Sequence, residues 1–184
     1  MRAVIERIGP CRLIVRADGT HFDALLRAIL YQQLSGKAAA TIHERLRGAF
    51  GGRDPLPSEL LTTPEETLRA CGLSRQKLTY ILDLARHVDE DLLPLHRVEE
   101  MADDEVIAAL TDVKGVGRWT AQIFLLFRLG RPDIVPENDL GIQKGIQLAY
   151  ELADLPTPRD VLRISERWAP YRSVASWYMW RLLD

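Results

Sequence analysis

Apolar residues recur along this chain at helical spacing, in short runs separated by turn-forming residues. Phe22, Leu25, Leu26, Ile29 and Leu30 share one helix face, and a second run from Lys37 to Phe50 carries Ile42, Leu46 and Phe50 on another. Ser35-Gly36 divides the two runs, Gly51-Gly52 ends the second, and the stretch from Pro55 to Ser58 reads as loop. Thr63-Pro64-Glu65-Glu66 predicts an N-cap, a first-turn proline and a capping-box glutamate for a short helix closed by Gly72. Ser74 is positioned to cap the next helix, with Leu78, Ile81, Leu82 and Ala85 as its apolar stripe. After a connector from Asp89 to Val98, the pattern predicts helices over Asp104 to Leu110, Arg118 to Leu129, Leu140 to Leu152 and Pro158 to Trp168, then an aromatic tail from Tyr171 to Trp180. Strand-like alternation is weak and confined to Cys11 to Val15. The fold class that follows is all-α, with roughly eight to ten short helices and no internal repeat.

Composition narrows the partners. The chain has 184 residues, 47% of them hydrophobic and 27% charged, so it carries enough apolar surface for a folded core. No apolar run reaches the roughly 18 residues of a membrane-spanning helix, and charge at Arg2, Glu6 and Arg7 interrupts any secretory apolar segment, so a cytoplasmic location and no membrane are expected. The two cysteines, Cys11 and Cys71, cannot hold a four-cysteine zinc or iron–sulfur site and are expected to be buried thiols. His21, His43, His87 and His96 lack metal-ligand spacing. A net charge of −2 argues against a global basic field, yet most of the positive charge is arginine, whose forked contacts to phosphate do not need a basic protein.

Chemistry first shows at Val113-Lys114-Gly115-Val116-Gly117, a tight turn between two helical segments. The first N–H groups of the following helix have no intrahelical acceptor, and with the glycine amides they form an anion site suited to a DNA phosphate. A plain turn between two helices is the alternative for a glycine pair standing alone. Asn138 and Asp139, which follow a proline, have a similarly ordinary reading as helix caps.

In the context of the whole chain, the sequence resembles the helix-hairpin-helix DNA glycosylase superfamily, and within it the alkylpurine branch of the 3-methyladenine DNA glycosylase II type. Leu110 to Ala121 matches the hairpin, and Val135-Pro136-Glu137-Asn138-Asp139 stands where the family places its catalytic aspartate. Ile29 to Ser35, Gly72 to Lys77 and Trp168 to Ala175 running on to Trp180 supply further matches, over about residues 20 to 182. The resemblance implies two helical subdomains with the active site in the cleft between them. One would be residues 18–129, with the helix-hairpin-helix at about 104–129; the other would be 1–17 plus 130–184, carrying the catalytic aspartate. No segment matches the N-terminal β-rich domain of the three-domain members, so the resemblance leads one to expect a minimal version.

By the same resemblance, Asp139 is the catalytic carboxylate. A base alkylated at a ring nitrogen is already a cationic leaving group, so one carboxylate suffices to stabilise charge on the sugar and to orient the attacking water. Trp119 stands where the glycosylase-lyases carry a lysine nucleophile, while Lys114 and Lys144 belong to other parts of the pattern, so a monofunctional enzyme is expected. Trp119 and Trp180 match aromatic pocket walls suited to a cationic base, with core packing as the alternative for each. Ile123 and Leu140 replace further aromatics of the branch and imply a wider pocket.

DNA contacts are implied for Lys114, Gly115, Val116, Gly117 and Arg118 of the hairpin, and for Gln33 with Leu34 as filler of the gap left by a flipped base. Leu34 has an alternative place in the core, and Arg172 reads as an ion-pair partner. The family hairpin binds a monovalent cation, Na+ or K+, through carbonyls that would here be those of Thr111, Val113 and Val116; an iron–sulfur cluster is excluded. The expected partner is double-stranded DNA with damaged bases, acted on by a monomer whose abasic product passes to a downstream nuclease. Two other functions remain open: a non-enzymatic helix-hairpin-helix module that grips duplex DNA, and a glycosylase for oxidised or mismatched bases.

Overall fold

The computed structural model describes all 184 residues and contains helices, turns and loops with no β-strand. Contacts divide it into two compact units, residues 17–121 and residues 1–16 with 122–184. The division falls between Ala121 and Gln122, inside the helix that begins at Arg118, where the resemblance implied a boundary after residue 129.

The larger unit is built from α2 (His21–Tyr31), α3 (Gly36–Ala49), α4 (Pro57–Thr62), α5 (Glu65–Ala70), α6 (Arg75–Asp89), a 3₁₀ turn at Leu95–Arg97 and α7 (Asp103–Thr111), then the start of α8 (Arg118–Phe127). Thr20 and Asp23 form a capping box at the start of α2, and the Ser35 and Ser74 hydroxyls accept the Ala38 and Lys77 amides at the starts of α3 and α6. Leu25, Leu26, Ile29, Leu30, Leu46, Leu60, Leu78, Ile81, Leu84 and Leu110 are sealed in the core, each stabilising the fold by about 1.5–3 kcal/mol. On α6 the buried stripe runs through Leu84, and Leu82 is only half-buried.

Two local expectations change. The stretch expected as loop, Pro55 to Ser58, holds the start of α4, which Leu56 and Glu59 cap and Thr63 finishes, its hydroxyl donating to the Glu59 carbonyl at 2.6 Å. Thr63 therefore does not cap α5, whose N-cap is Pro64 with no side-chain cap bond.

The second unit holds α1 (Arg2–Ile8), the remainder of α8, α9 (Leu140–Ala149), α10 (Pro158–Ser165), a 3₁₀ turn at Glu166–Trp168 and α11 (Arg172–Arg181). Val4 of α1 is buried with Ile142, Ile146, Trp168 and Met179, and the Tyr178 hydroxyl donates to the Gly9 carbonyl at 2.8 Å, so the N-terminal helix packs beside the C-terminal ones. Residues 11 to 15 form no strand; Arg16 after them donates its amide to the Phe127 carbonyl at 2.8 Å and accepts the Arg128 guanidinium on its own carbonyl at 2.9 Å. Cys11 in this segment is exposed while Cys71 is buried, so only one thiol is a core group. Arg172 holds Asp133 through two side-chain bonds of 2.7 Å, which keep that carboxyl below its usual range.

Candidate active site and DNA-facing loops

In the second unit, the site forms where α9 begins beside the end of α11. Pro136 turns the chain, the Asp139 amide donates to its carbonyl at 3.0 Å, and Asp139 becomes the N-cap of α9. Its Oδ1 accepts the Ile142 amide at 2.9 Å and, also at 2.9 Å, the indole Nε1–H of Trp180. The cap reading and the resemblance thus converge on one residue, whose carboxylate is oriented by a helix start and by a side chain 41 positions away.

Trp180 is half-buried and stacks on Phe127, with ring centroids 5.7 Å apart and 27° between the planes. It is an orienting group for Asp139 as well as an aromatic surface. Gly141 makes the approach possible, since a Cβ there would lie 2.8 Å from the Trp180 ring and 2.9 Å from Asp139 Oδ1. Leu140, the first residue of α9, is 53% exposed next to Asp139, while Ile123 is half-buried on α8. Asp139, Leu140 and Trp180 are therefore brought together within this unit.

The loop that presents Asp139 is fixed from beneath by groups the sequence did not reveal. Gln122, buried on α8, donates its Nε2 to the Val135 carbonyl at 3.1 Å and to Glu137 Oε2 at 2.5 Å, and Gln143 donates to the Glu137 carbonyl at 3.3 Å. Glu137 is itself 6% exposed. The available signal was a glutamine between Ala121 and Phe124, a polar residue in an otherwise apolar run.

The Trp180 bond can be tested apart from the stack. Trp180→Phe keeps an aromatic ring on Phe127 and removes the donor, and a bond to a charged group contributes about 1.5–3 kcal/mol. We expect base release, measured in single turnovers, to fall roughly tenfold with little change in DNA affinity. An unchanged rate would remove Trp180 from the orienting role.

The residues expected to face DNA lie in the other unit. Gln33 and Leu34 are exposed in the loop between α2 and α3, with Leu34 at 38%, so its alternative place in the core is ruled out. Gln33 has φ +56°, a left-handed conformation that disfavours a non-glycine residue. In the hairpin, Val113 and Val116 are buried while Lys114, Gly117 and Arg118 are exposed. Trp119, on the first turn of α8, is 45% exposed and is no core residue.

The hairpin is anchored by α6. Asp83, buried there, accepts the Lys114 amide at 2.9 Å and the Arg86 guanidinium at 3.2 Å, so the Lys114 amide serves the fold. Burial alone would push the Asp83 carboxyl up, but these bonds, with His87 and Lys114 nearby, hold it below its usual value. A carboxyl depressed in the folded state stabilises the hairpin fully above the ordinary aspartate range, near pH 3.9, and that contribution is lost as pH falls through the folded pKa. Asp83→Asn is accordingly expected to flatten the acid limb of a thermal-stability profile, and an unaltered limb would exclude this anchor.

The two glycines of the turn differ. Gly115 has φ +83°, and a Cβ would meet the Tyr80 ring at 2.2 Å. At Gly117 a Cβ meets nothing within 4 Å, so the fold does not require that glycine. Gly117→Ala is expected to fold normally while weakening affinity for all duplexes alike, if, as the resemblance implies, DNA backbone approaches closely there. Unchanged affinity would place the phosphate elsewhere.

Residues 26–170 match the model for the HhH-GPD superfamily base excision DNA repair proteins. DNA-3-methyladenine glycosylase 1 of Schizosaccharomyces pombe is 37% identical over 162 residues, spanning 87% of this chain and 71% of its own length. The structure resembles a DNA-3-methyladenine glycosidase from Bacillus halodurans with a TM-score of 0.90 and 34% identity, over 98% of this chain and 82% of that one. It also resembles the S. pombe 3-methyladenine DNA glycosylase in complex with abasic DNA, with a TM-score of 0.81 and 34% identity, over 98% of this chain and 89% of that one. The hairpin, the capped aspartate and these matches together establish that the chain belongs to the HhH-GPD superfamily of base excision DNA repair proteins.

Proposed function

We propose that this protein is a monofunctional DNA glycosylase that hydrolyses the N-glycosidic bond of alkylated bases of the 3-methyladenine type, the first step of base excision repair. The observation that carries this reading is the Asp139 carboxylate, fixed at Oδ1 by the Ile142 amide and the Trp180 indole. A module that only grips duplex DNA needs Asp139 as a helix cap but not the second bond from the Trp180 indole, and the relatives named for 3-methyladenine support the substrate class.

The chemistry follows from that geometry. An alkylated purine leaves as a neutral base, so the barrier lies in positive charge developing at C1′ and O4′ of the deoxyribose. A carboxylate oriented before the reaction stabilises that charge without reorganising, and it accepts a proton from the attacking water as the C1′–O bond forms. The electron pair of the broken C1′–N bond leaves with the base, and the product is an abasic sugar in an intact strand. Leu140 offers exposed apolar surface beside Asp139, and the exposed indole of Trp119 has a π-face that favours a cationic base over a neutral one.

The same family position explains why no lyase step is expected. Trp119 supplies an indole, whose nitrogen has no nucleophilic lone pair, where a lyase needs an amine to form an imine. A duplex carrying one defined lesion should therefore stay full length on a denaturing gel until alkali or an abasic-site nuclease is added, and borohydride should trap no adduct. An efficiently trapped adduct would reassign the nucleophile to an amine such as Lys114 or Lys144.

Double-stranded DNA is the partner, engaged by a monomer through the hairpin from Lys114 to Arg118 and through Gln33 and Leu34. A monovalent cation at the hairpin fits the donor chemistry, since the carbonyls of Thr111, Val113 and Val116 are hard neutral oxygens suited to Na+ or K+. The Val113 carbonyl accepts the Val116 amide at 3.0 Å and retains a second lone pair. Such an ion would add positive charge facing the phosphate.

A further inference from the structure

The match from Gly72 to Lys77 and the first glutamine of the Gln32-Gln33 pair have no part in the chemistry above, yet both lie at the junction of the two DNA-facing loops. Lys77 of α6 donates its ammonium hydrogens to the carbonyls of Ile29 at 2.7 Å, Leu30 at 3.0 Å and Gln32 at 2.8 Å. These groups at the end of α2 would otherwise need water, so the lysine fixes where the helix stops and where loop 32–35 begins. Three residues further along α6, Tyr80 lies against Gly115, and after three more Asp83 takes the Lys114 amide. One helix therefore grips the gap-filling loop at one turn and the phosphate-binding hairpin at the next two.

Gln32 closes this arrangement directly. It is half-buried, its backbone carbonyl is held by Lys77, and its Nε2 donates to the Gly115 carbonyl at 2.9 Å across 83 positions of sequence. The next residue, Gln33, has φ +56°. A left-handed glutamine on an exposed loop persists only where its surroundings over-determine it, and the bond from Gln32 supplies one of those constraints.

We propose that Gln32 is a positioning residue that locks the gap-filling loop to the hairpin, so that docking a phosphate on the hairpin sets Gln33 and Leu34 at the depth needed to enter the base stack. The proposal rests on the reading of Gln33 and Leu34 as the gap filler. Coupling of this kind converts backbone binding, which is indifferent to sequence, into stabilisation of the flipped state. Without it the hairpin would still bind, but the filler would lose its fixed distance from the phosphates.

The test is Gln32→Met, which keeps the side-chain length and removes the donor, together with Gln32→Ala. Single-turnover base release is measured from an alkylated base in a paired duplex and from the same base within an unpaired bubble, where little unstacking is needed. Affinity for undamaged duplex is measured alongside. We expect release from the paired duplex to fall roughly tenfold or more, release from the bubble to change by no more than about twofold, and affinity for undamaged duplex to hold. The ratio of the two rates is the readout, because any loss of folded protein lowers both alike.

Equal release from paired and unpaired substrates relative to wild type, whether both are retained or both reduced, overturns the coupling. The double substitution Gln33→Ala with Leu34→Ala separates the layers. If it leaves the ratio unchanged, the gap-filling reading fails and takes the proposal with it; if it lowers the ratio and Gln32→Met does not, only the coupling fails.

Discussion

Asp139→Asn is expected to lower base release by about 10²–10³-fold or more while leaving the protein folded and able to bind duplex. The amide oxygen retains an acceptor for the Ile142 amide and the Trp180 indole, so both bonds at Oδ1 have a counterpart in the variant. What disappears is the charge that, in the proposed mechanism, stabilises the developing oxocarbenium ion, together with the basicity that would draw the proton from water. Asp139→Ala is a different experiment, because it also removes the N-cap of α9 at a cost of about 1 kcal/mol and leaves the indole donor without this acceptor. The two variants separate a carboxylate needed for chemistry from one needed for folding. Thermal stability close to wild type in Asp139→Asn, with release abolished, is the expected pair of results; turnover near the wild-type rate would remove the proposed mechanism.

Gly145→Ala is expected to give the largest loss of stability. A Cβ at Gly145 would lie 2.3 Å from the Met179 carbonyl oxygen and 2.7 Å from the carbon, so the obstacle is backbone and α9 must move away from α11. Overpacking of this kind costs about 1–3 kcal/mol, and more where backbone must shift. For a protein of this size that corresponds to roughly 2–12 °C in Tm. The consequence reaches the site, because Asp139 begins α9 and Trp180 lies near the end of α11. Even well below its melting temperature, the variant should release base more slowly than wild type. A Tm within a degree of wild type would contradict the close contact of α9 and α11 on which the geometry depends.

The parts of this arrangement that could be read from sequence are the ones encoded locally. Ser35, Ser74 and Asp139 cap helices because their short polar side chains reach the amides of the turn that follows, and α2 declares itself by its continuous apolar face. Elements too short to show a period were hidden. α4 has six residues with only Leu60 buried, and α1 buries only Val4 between charged Arg2, Glu6 and Arg7. The resemblance brought Asp139 and Trp180 forward separately, but the bond between them joins helices 41 residues apart and leaves no local trace. Gln122, Gln32 and Lys77 were missed for the same reason, since each is a polar side chain whose partner is a backbone carbonyl supplied by the fold. Gly141 and Gly145 read as ordinary helical positions until the proximity of α11 is known.

The most direct measurement is chromatographic recovery of free bases from methylated duplex DNA incubated with the protein, with abasic sites counted in the same samples. Alkylated bases of the 3-methyladenine type are expected to accumulate in equal number to abasic sites, in unbroken strands, with wild-type protein and not with Asp139→Asn. Duplex binding without release of any alkylated base, or equal release by the Asp139→Asn variant, would contradict the proposed mechanism.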